Sequence, residues 1–585
     1  MLVYGSQMNT SIRVICFTML SLSTFSFRAG AEGFANVISP PYYLVHYEGS
    51  TNEGELKISA NYTLWLPPGV KTLRGVIVHQ HGCGPGDDRD ERALAGDLHW
   101  QALACKQACA LLVPSYEQSD KSHCRWWHDP RNGSDKKFLQ ALAELAALSQ
   151  HPELATVPWA LWGHSGGACW AGSMFLLYPE RVVAVWLRSN VPLQLAEPIP
   201  AAALAIPVMC NLGTREGVTG TNNTYALAWP LVREFFSAFR GQGGLIGVAV
   251  DPNSEHDCGN SRYLAIPWFD ACLTARLPEK AGDATLKPMP TDGAWLAPLL
   301  GQKAQPASEF TGDIKTAIWL PNERIAKAWS EFVKDGNVSD PTPPPPPRDV
   351  RVSSAGELTW KAEADLESGI AAFVIERDGE KLARVPEQHS GYFVGRPTFQ
   401  QIGYGDEPTP PLAPMRYTDN TAKWRKYTYA VRTVNTAGLE STPSPAVAMT
   451  GSSRDHHSDA FPSGLISKQW PKGPEITKPR VAIKLDTRLL DACVGRYEFA
   501  PGAVFPTGAK LTVWREGEQL VAQPRSGGET PGALDTYPAS ETNFFLKIDG
   551  SQLIFIKNDK GEVTAVIHRS TNGGIPDHLG KKMKD

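Results

Sequence analysis

The stretch that decides the fold is WALWGHSGGACWAGSMF, residues 159–175. Its first four residues are apolar and predict a buried strand, and the residues after the glycines predict a helix that ends at Pro179. Between them, GHSGG at 163–167 matches G-x-S-x-G in the strand–turn–helix context that this motif requires. Small flanking residues let the backbone turn tightly, so the serine hydroxyl projects above the sheet. The sequence therefore predicts Ser165 as a nucleophile.

An earlier strand leads into a second glycine-containing loop. Residues 75–79 (GVIVH) predict a short buried strand, and QHGCG follows at 80–84. In a site built around a nucleophile elbow, one oxyanion donor is the amide after the nucleophile and the other comes from such a loop. The predicted donors are therefore the backbone N–H groups of Gly166 and Cys83.

The general base is predicted on a loop near the end of this region. Residues 245–250 (LIGVAV) predict a late strand, and the loop DPNSEHDCGN after it carries His256. A histidine after the last strand is placed to take the proton of Ser165 and return it to the leaving group. The histidines that precede the nucleophile fit this chain order less well: His99, His123, His128 and His151.

The acid is expected between the nucleophile and the base in chain order. Residues 206–212 (IPVMCNL) predict a strand, and the turn after it contains Glu216. Two alternatives stay open at this stage. Asp251, at the end of the next strand, is a substitute acid, and Arg215 could hold Glu216 in a surface ion pair.

Together these motifs resemble the α/β-hydrolase superfamily, and HGCG with GHSGG is similar to secreted esterases of the polyhydroxyalkanoate-depolymerase and feruloyl-esterase type. The resemblance covers about residues 36–285. It implies a mostly parallel sheet flanked by helices, and ester hydrolysis through an acyl-enzyme without a cofactor. Glu216 departs from the family's commoner Asp at the acid position.

Composition divides the chain of 585 residues into several parts. An apolar run after Arg13 and the small residues that follow it predict a signal peptide over 1–31. The catalytic domain is expected over 36–335. A proline-rich linker over 336–347, with five consecutive prolines, is expected to be extended and stiff.

Two β-patterned regions follow the linker. Residues 348–450 resemble a fibronectin type III domain, with Asp378-Gly379 as a hairpin turn and Trp360 and Tyr429 as core aromatics. A second linker is expected over 451–483. Residues 484–585 alternate as short strands and resemble the small β-domain that accompanies serine-β-lactamase-like hydrolases. These resemblances together predict an α/β fold class with two all-β accessory domains.

Charge and hydropathy exclude several classes of protein. The chain has 57 Lys and Arg against 61 Asp and Glu and no basic stripe, which argues against a nucleic-acid partner. A mean hydropathy of −0.26 predicts no integral membrane span after signal cleavage. His79 and His81 form an H-x-H pair without further ligands at suitable spacing, so no metal is predicted. Among the cysteines, Cys258 with Cys272 is the favoured local disulfide.

The sequence thus predicts a secreted, periplasmic or cell-surface serine esterase with the triad Ser165, His256 and Glu216. The expected substrate is a polymeric, cell-wall-associated or carbohydrate-linked ester, near which the β regions would hold the enzyme. Two other classes stay open. A peptidase of the same fold would use the same triad, and a non-catalytic protein could retain the fold to bind glycans or a cell surface.

Overall fold

The computed structural model describes residues 40–84, 95–118, 121–195, 198–219, 225–387, 395–409, 412–422, 426–449, 483–499, 509–526, 534–546, 551–558, 560–569 and 578–583. The predicted signal peptide over 1–31 lies outside these residues, as does the predicted linker over 451–483 except for its last residue. No helix within the described ranges has the length and apolar character that crossing a membrane requires.

Eight strands of the first part of the chain form one sheet: β1 (Tyr42–Tyr47), β2 (Ala60–Trp65), β3 (Gly75–Gln80), β4 (Cys109–Tyr116), β5 (Trp159–His164), β6 (Val182–Arg188), β7 (Val208–Gly213) and β8 (Ile246–Asp251). Across the sheet they lie in the order β1-β2-β4-β3-β5-β6-β7-β8. β1, β2 and β4 pair antiparallel, and all pairs from β4 to β8 are parallel.

The helices of this part are α1 (Leu98–Gln107), α2 (Ser134–Ser149), α3 (Gly166–Leu177), α4 (Ala201–Leu204), α5 (Ala228–Gly241), α6 (Arg262–Arg276) and α7 (Glu323–Asp335). Short 3-10 helices lie at Lys121–Trp126, Pro130–Asn132, Pro152–Ala155 and Pro179–Arg181. The strand order, the parallel pairing and the strand–helix alternation define the α/β-hydrolase fold, which confirms the predicted fold class.

The central strands are apolar because helices cover them. β3, β5, β6 and β7 are buried along their whole length, as expected for parallel strands in a covered sheet. The predicted functional residues follow three parallel strands of this half of the sheet: Ser165 after β5, Glu216 after β7 and His256 after β8. Carboxyl ends of parallel strands share one edge of the sheet, so the topology brings these residues to the same place.

A small antiparallel sheet and α7 complete the first part. The sheet consists of β9 (Trp295–Pro298), β10 (Gln305–Pro306) and β11 (Ala317–Leu320), in the order β10-β9-β11. The α7 helix starts at the N-cap Asn322, whose side chain accepts the amide of Ile325, and ends at Gly336, where φ is 75°.

Residues 348–449 form two further antiparallel sheets. They are termed the second β region, because they follow the sheets of the first part of the chain. Their strands are β12 (Arg348–Val352), β13 (Glu357–Lys361), β14 (Ala372–Arg377), β15 (Glu380–Val385), β16 (Arg416–Thr418), β17 (Tyr427–Val434) and β18 (Val447–Met449). The sheet orders are β12-β13-β16 and β15-β14-β17-β18. Asp378 and Gly379 take φ of 53° and 84° between β14 and β15, which confirms the predicted hairpin. Trp360 and Tyr429 are buried in its core as predicted.

The C-terminal region is a closed antiparallel barrel. It follows helix α8 (Thr487–Cys493) and consists of β19 (Gly495–Phe499), β20 (Ala509–Glu516), β21 (Gln519–Ser526), β22 (Leu534–Pro538), β23 (Asn543–Leu546), β24 (Gln552–Lys557), β25 (Val563–Arg569) and β26 (His578–Lys582). Because β26 pairs with β19, the sheet has no unpaired edge strand. The two all-β regions agree with the predicted fold class.

Candidate active site

Ser165 occupies a sharp turn between β5 and α3. Its φ is 54° and its ψ is −117°, a conformation that side-chain-bearing residues rarely adopt. Sterics explain the glycines around it. A Cβ on Gly163 would lie 2.2 Å from the carbonyl oxygen of Gly167, and one on Gly167 would lie 2.4 Å from the carbonyl oxygen of Gln80. Only glycine therefore fits at either position.

The structure brings Ser165, His256 and Glu216 into one hydrogen-bonded series. His256 Nε2 lies 2.9 Å from Ser165 Oγ, and His256 Nδ1 lies 2.5 Å from Glu216 Oε1. With the proton on Nδ1, the imidazole donates to the carboxylate and Nε2 accepts from the serine hydroxyl. His256 is 7% exposed and Glu216 is fully buried, so little water competes for these bonds.

The second carboxylate oxygen of Glu216 accepts three hydrogen bonds. Its donors are Arg188 NH1 at 3.0 Å, Ser189 Oγ at 2.8 Å and the amide of Gly213 at 2.8 Å. Burial on its own would raise the pKa of Glu216, but the Arg188 guanidinium and the His256 ring hold that pKa below its ordinary value. Glu216 is thus an anion with a fixed orientation.

Arg188, the last residue of β6, also holds the loop that carries His256. Its NH2 group donates to Ser254 Oγ at 3.0 Å, to the carbonyl of Glu255 at 2.9 Å and to the carbonyl of Asp257. Arg188 is fully buried and is not among the residues predicted from the sequence. The sequence does contain a signal for Arg188, because an arginine that ends an otherwise apolar strand needs buried partners.

Arg188→Met is expected to lower the free energy of unfolding by about 3–5 kcal/mol, because it leaves the Glu216 carboxylate buried without its cation. Urea unfolding measures this loss. The matched control is Arg416→Met, which breaks a surface ion pair with Glu357 and is expected to cost about 0–1 kcal/mol. Equal losses in the two variants would contradict the assigned role of Arg188.

Neither alternative for Glu216 is found in the structure. Asp251 Oδ1 accepts the amide of Asn253 at 2.8 Å, and no hydrogen bond joins Asp251 to His256 in the described part of the chain. Burial raises the pKa of Asp251. Arg215 pairs with the Glu255 side chain, so the surface ion pair between Arg215 and Glu216 is wrong. Glu216 is the carboxylate that reaches the imidazole.

The two residues predicted to supply the oxyanion donors lie close to each other and to the turn of Ser165. A Cβ on Gly166 would lie 3.5 Å from the amide nitrogen of Cys83, and one on Gly82 would lie 3.1 Å from the Cβ of Ser165. Gly166 is the first residue of α3, so its amide has no acceptor within the helix. The arrangement can therefore offer two amides to a negative charge that forms next to Ser165.

A disulfide joins the Cys83 loop to a neighbouring segment. Cys83 and Cys124 are bonded, with their Cα atoms 5.4 Å apart. The expected pair Cys258–Cys272 is wrong: both cysteines are free and buried. Cys272 lies within α6, where its side chain packs into the main core. The 3-10 helix at Lys121–Trp126 instead brings Cys124 over the nucleophile turn, a proximity that cysteine spacing does not reveal.

Removing this disulfide with Cys83→Ser/Cys124→Ser is expected to lower kcat by as much as about 10²-fold, because the Cys83 amide is no longer held beside Ser165. Wild-type protein reduced with dithiothreitol should behave alike, with thiol counting to verify reduction. Cys105→Ser is the control, since Cys105 is half-buried and not disulfide-bonded. Unchanged kcat in fully reduced protein would show that the disulfide does not hold the donor.

The aromatic segment CRWWHD at 124–129 divides between core and surface. Trp127 is fully buried and stacks on Tyr116, with ring centroids 4.5 Å apart. Trp126 is half-buried and stacks on His123 at 4.1 Å, next to the disulfide. Trp127 therefore belongs to the packed core, whereas Trp126 keeps part of its ring accessible between His123 and the Arg125 guanidinium, which lies 5.7 Å from its centroid.

One group of potential metal ligands is found among the described residues. Cys83, Cys124 and His128 each bring a ligand atom within 4.8 Å of the others. A cysteine binds metal as a thiolate, and here the disulfide occupies both sulfurs. The oxidised protein therefore offers only the imidazole of His128 at this point.

No family model matches the chain, and no curated protein matches it. Among solved structures, it is similar to a thermostable esterase, at 13% identity and a TM-score of 0.27, over 36% of this chain and 54% of that one. Others are an S-formylglutathione hydrolase from Agrobacterium tumefaciens (14%, 0.27, 40% and 93%) and a ferulic acid esterase (13%, 0.27, 37% and 92%). The chain spans about half the length of the thermostable esterase.

Proposed function

We propose that this chain is a serine hydrolase that cleaves carboxylic esters through an acyl-enzyme. The observation that carries the proposal is the series from Ser165 Oγ through His256 to Glu216, with contacts of 2.9 Å and 2.5 Å, built on a strained serine turn. A merely structural serine would not need a positive φ or a buried imidazole–carboxylate pair at its hydroxyl.

The proposed reaction has two halves. Ser165 Oγ attacks the ester carbonyl carbon while its proton passes to His256 Nε2, and the new oxyanion accepts hydrogen bonds from the amides of Cys83 and Gly166. The tetrahedral adduct collapses, the C–O bond to the alcohol breaks, and the imidazolium protonates the leaving alkoxide. A water molecule then attacks the acyl-enzyme carbonyl while its proton passes to His256 Nε2. The C–O bond to Ser165 Oγ breaks, the imidazolium returns the proton to Oγ, and the acid is released.

The charges around His256 suit this proton transfer. Glu216 is held anionic by Arg188 and stabilises the imidazolium that forms in each half-reaction. Its second oxygen is occupied by three donors, so the carboxylate cannot rotate away from Nδ1 without breaking them. The base is thereby kept in the tautomer that accepts the serine proton.

For the substrate we propose an ester attached to a carbohydrate or another polymer outside the cytoplasm. The half-buried indole of Trp126, two residues after the disulfide-bonded Cys124, supports this, because the accessible part of an aromatic ring packs well against sugar or aromatic rings. The disulfide supports an oxidising compartment and thus a secreted, periplasmic or cell-surface location.

The proposal is tested by turnover and active-site labelling of the full mature chain. We expect hydrolysis of p-nitrophenyl acetate and butyrate, weak cleavage of peptide p-nitroanilides, and fluorophosphonate attached to Ser165 in the mass-mapped peptide. Peptide cleavage that exceeds ester cleavage would favour a peptidase of this fold. A folded protein that neither turns over ester nor takes the label would overturn the proposal in favour of a binding protein.

A further inference from the structure

One loop of the second β region reaches the candidate active site. This segment, the Tyr404 loop (residues 395–409), belongs to the connection between β15 and β16. The amide of Cys258, two residues after His256, donates to the carbonyl of Tyr404 at 2.9 Å. The Tyr404 ring lies 5.5 Å from the ring of His164 and 6.2 Å from the ring of His256, measured between centroids.

A buried charge network fixes this loop. The carboxylate of Asp406 accepts from Arg262 Nε at 2.6 Å and from Trp100 Nε1 at 3.0 Å, and Arg262 also binds Asp97 at 2.8 Å. Burial would raise the pKa of Asp406, but Arg262 and His79 lower it to about 2. The Asp406 anion is therefore locked between α1 and the start of α6.

Further contacts extend the attachment. Gln400 accepts the amide of Leu98 at 2.8 Å and donates to the carbonyl of Gly96 at 2.7 Å. Ala102 of α1 belongs to the same apolar cluster as Trp360 and the other core residues of the second β region. The second β region thus shares packing with the hydrolase sheet's helices and is not a detached spacer.

The same geometry holds the imidazole of His256 from several sides. Tyr225 stacks on it face to face, with centroids 3.8 Å apart and planes 7° apart, and Tyr404 packs against it at 48°. His164 Nε2 hydrogen-bonds to the carbonyl of His256 at 2.7 Å, and Tyr404 packs against His164 as well. Tyr404 therefore contacts both the base and the residue that holds the base's backbone.

We infer that Tyr404 is a positioning residue for His256, and that the second β region thereby completes the active site. The inference rests on the proposed function. The Tyr404 hydroxyl is buried and has no hydrogen-bond partner among the described residues, so the aromatic ring is the part that acts. Without the ring, the imidazole can tilt away from Ser165, and small misplacements of a catalytic group are costly.

The test compares Tyr404→Ala, Tyr404→Leu and Tyr404→Phe in the full chain. Tyr404→Ala is expected to lower kcat for p-nitrophenyl butyrate by about 10- to 100-fold with little change in KM, since the ring acts on the base and not on substrate binding. Tyr404→Leu keeps a large apolar side chain, so it tests the same point if truncation to alanine unfolds the loop. Its kcat should fall nearly as much as that of Tyr404→Ala. Tyr404→Phe keeps the ring and should restore most of kcat.

The matched control is Tyr417→Ala. Tyr417 is a half-buried tyrosine of the same region that packs against its core. Thermal melting of each variant separates loss of stability from loss of kcat. If Tyr417→Ala lowers kcat as much as Tyr404→Ala at equal loss of stability, the inference is overturned. It is also overturned if Tyr404→Phe is as inactive as Tyr404→Ala, because the hydroxyl would then be the acting group.

A spectroscopic readout does not depend on turnover. The proton between His256 Nδ1 and Glu216 should give a low-field NMR resonance, which His256→Ala removes and so assigns. We expect Tyr404→Ala and Tyr404→Leu to broaden or lose this signal, and Tyr417→Ala to keep it. An unchanged signal in Tyr404→Ala and Tyr404→Leu overturns the inference. If these two variants lose the signal but the wild-type protein does not hydrolyse esters, only the proposed function has failed.

Discussion

Replacing Ser165 with alanine is expected to reduce kcat for p-nitrophenyl butyrate on the order of 10⁶-fold, because the variant lacks the hydroxyl that takes the acyl group in the proposed reaction. The fold should survive, since alanine has the same Cβ as serine at this turn and the substitution removes only the hydroxyl that bonds to His256. Steady-state kinetics and circular dichroism of the purified variant measure the two effects. Fluorophosphonate labelling should disappear together with turnover.

Ser173→Ala is the matched control for this variant. Ser173 lies on α3, two turns beyond the nucleophile, and its hydroxyl is buried with no partner in the described part of the protein. We expect its removal to leave kcat and labelling unchanged. Retention of most of the esterase activity in Ser165→Ala would place the nucleophile elsewhere.

Glu216→Gln is expected to lower kcat by about 10⁴-fold, because the amide can donate to Nδ1 and so favours the wrong imidazole tautomer. It also leaves Arg188 buried beside a neutral group, so the free energy of unfolding should fall. Kinetics and urea unfolding of the same preparation separate these consequences. KM should change less than kcat, since Glu216 is fully buried and does not face substrate.

Asp251→Asn provides the comparison for Glu216→Gln. Both carboxylates are buried at the ends of neighbouring strands, but Asp251 bonds to the amide of Asn253 and not to the imidazole. Loss of the Asp251 carboxylate charge should affect the free energy of unfolding more than kcat. A larger fall in kcat for Asp251→Asn than for Glu216→Gln would reverse the assignment of the acid.

Local sequence patterns predict the residues at the strand ends. The turn around Ser165 is specified by neighbours within four positions, because the glycines are needed for backbone clearance. His256 and Glu216 follow from chain order, since each comes directly after a predicted parallel strand. In this fold the positions after parallel strands share one edge of the sheet. The topology therefore brings Ser165, Glu216 and His256 close together although they are far apart in the sequence.

Contacts between distant segments could not be predicted in this way. The Cys83–Cys124 pairing depends on how a 3-10 helix crosses the nucleophile turn, and spacing favoured Cys258–Cys272 instead. Tyr404 and Asp406 lie in a region with a β pattern of its own, which gave no reason to place it at a catalytic histidine. The residue pattern within a segment predicts the secondary structure of that segment. It does not predict which distant segment the folded element packs against.

The pairing of Arg262 with Asp406 restricts how this chain can be rearranged. A fragment cut off after α7 would keep the Arg262 guanidinium and Asp97 but lose the Asp406 carboxylate, which joins them to His79 and Trp100. The surface that this cut uncovers would include Ala102 and the first turn of α1. The second β region is therefore a poor candidate for exchange with modules of other enzymes, and the two parts are expected to be inherited as one piece.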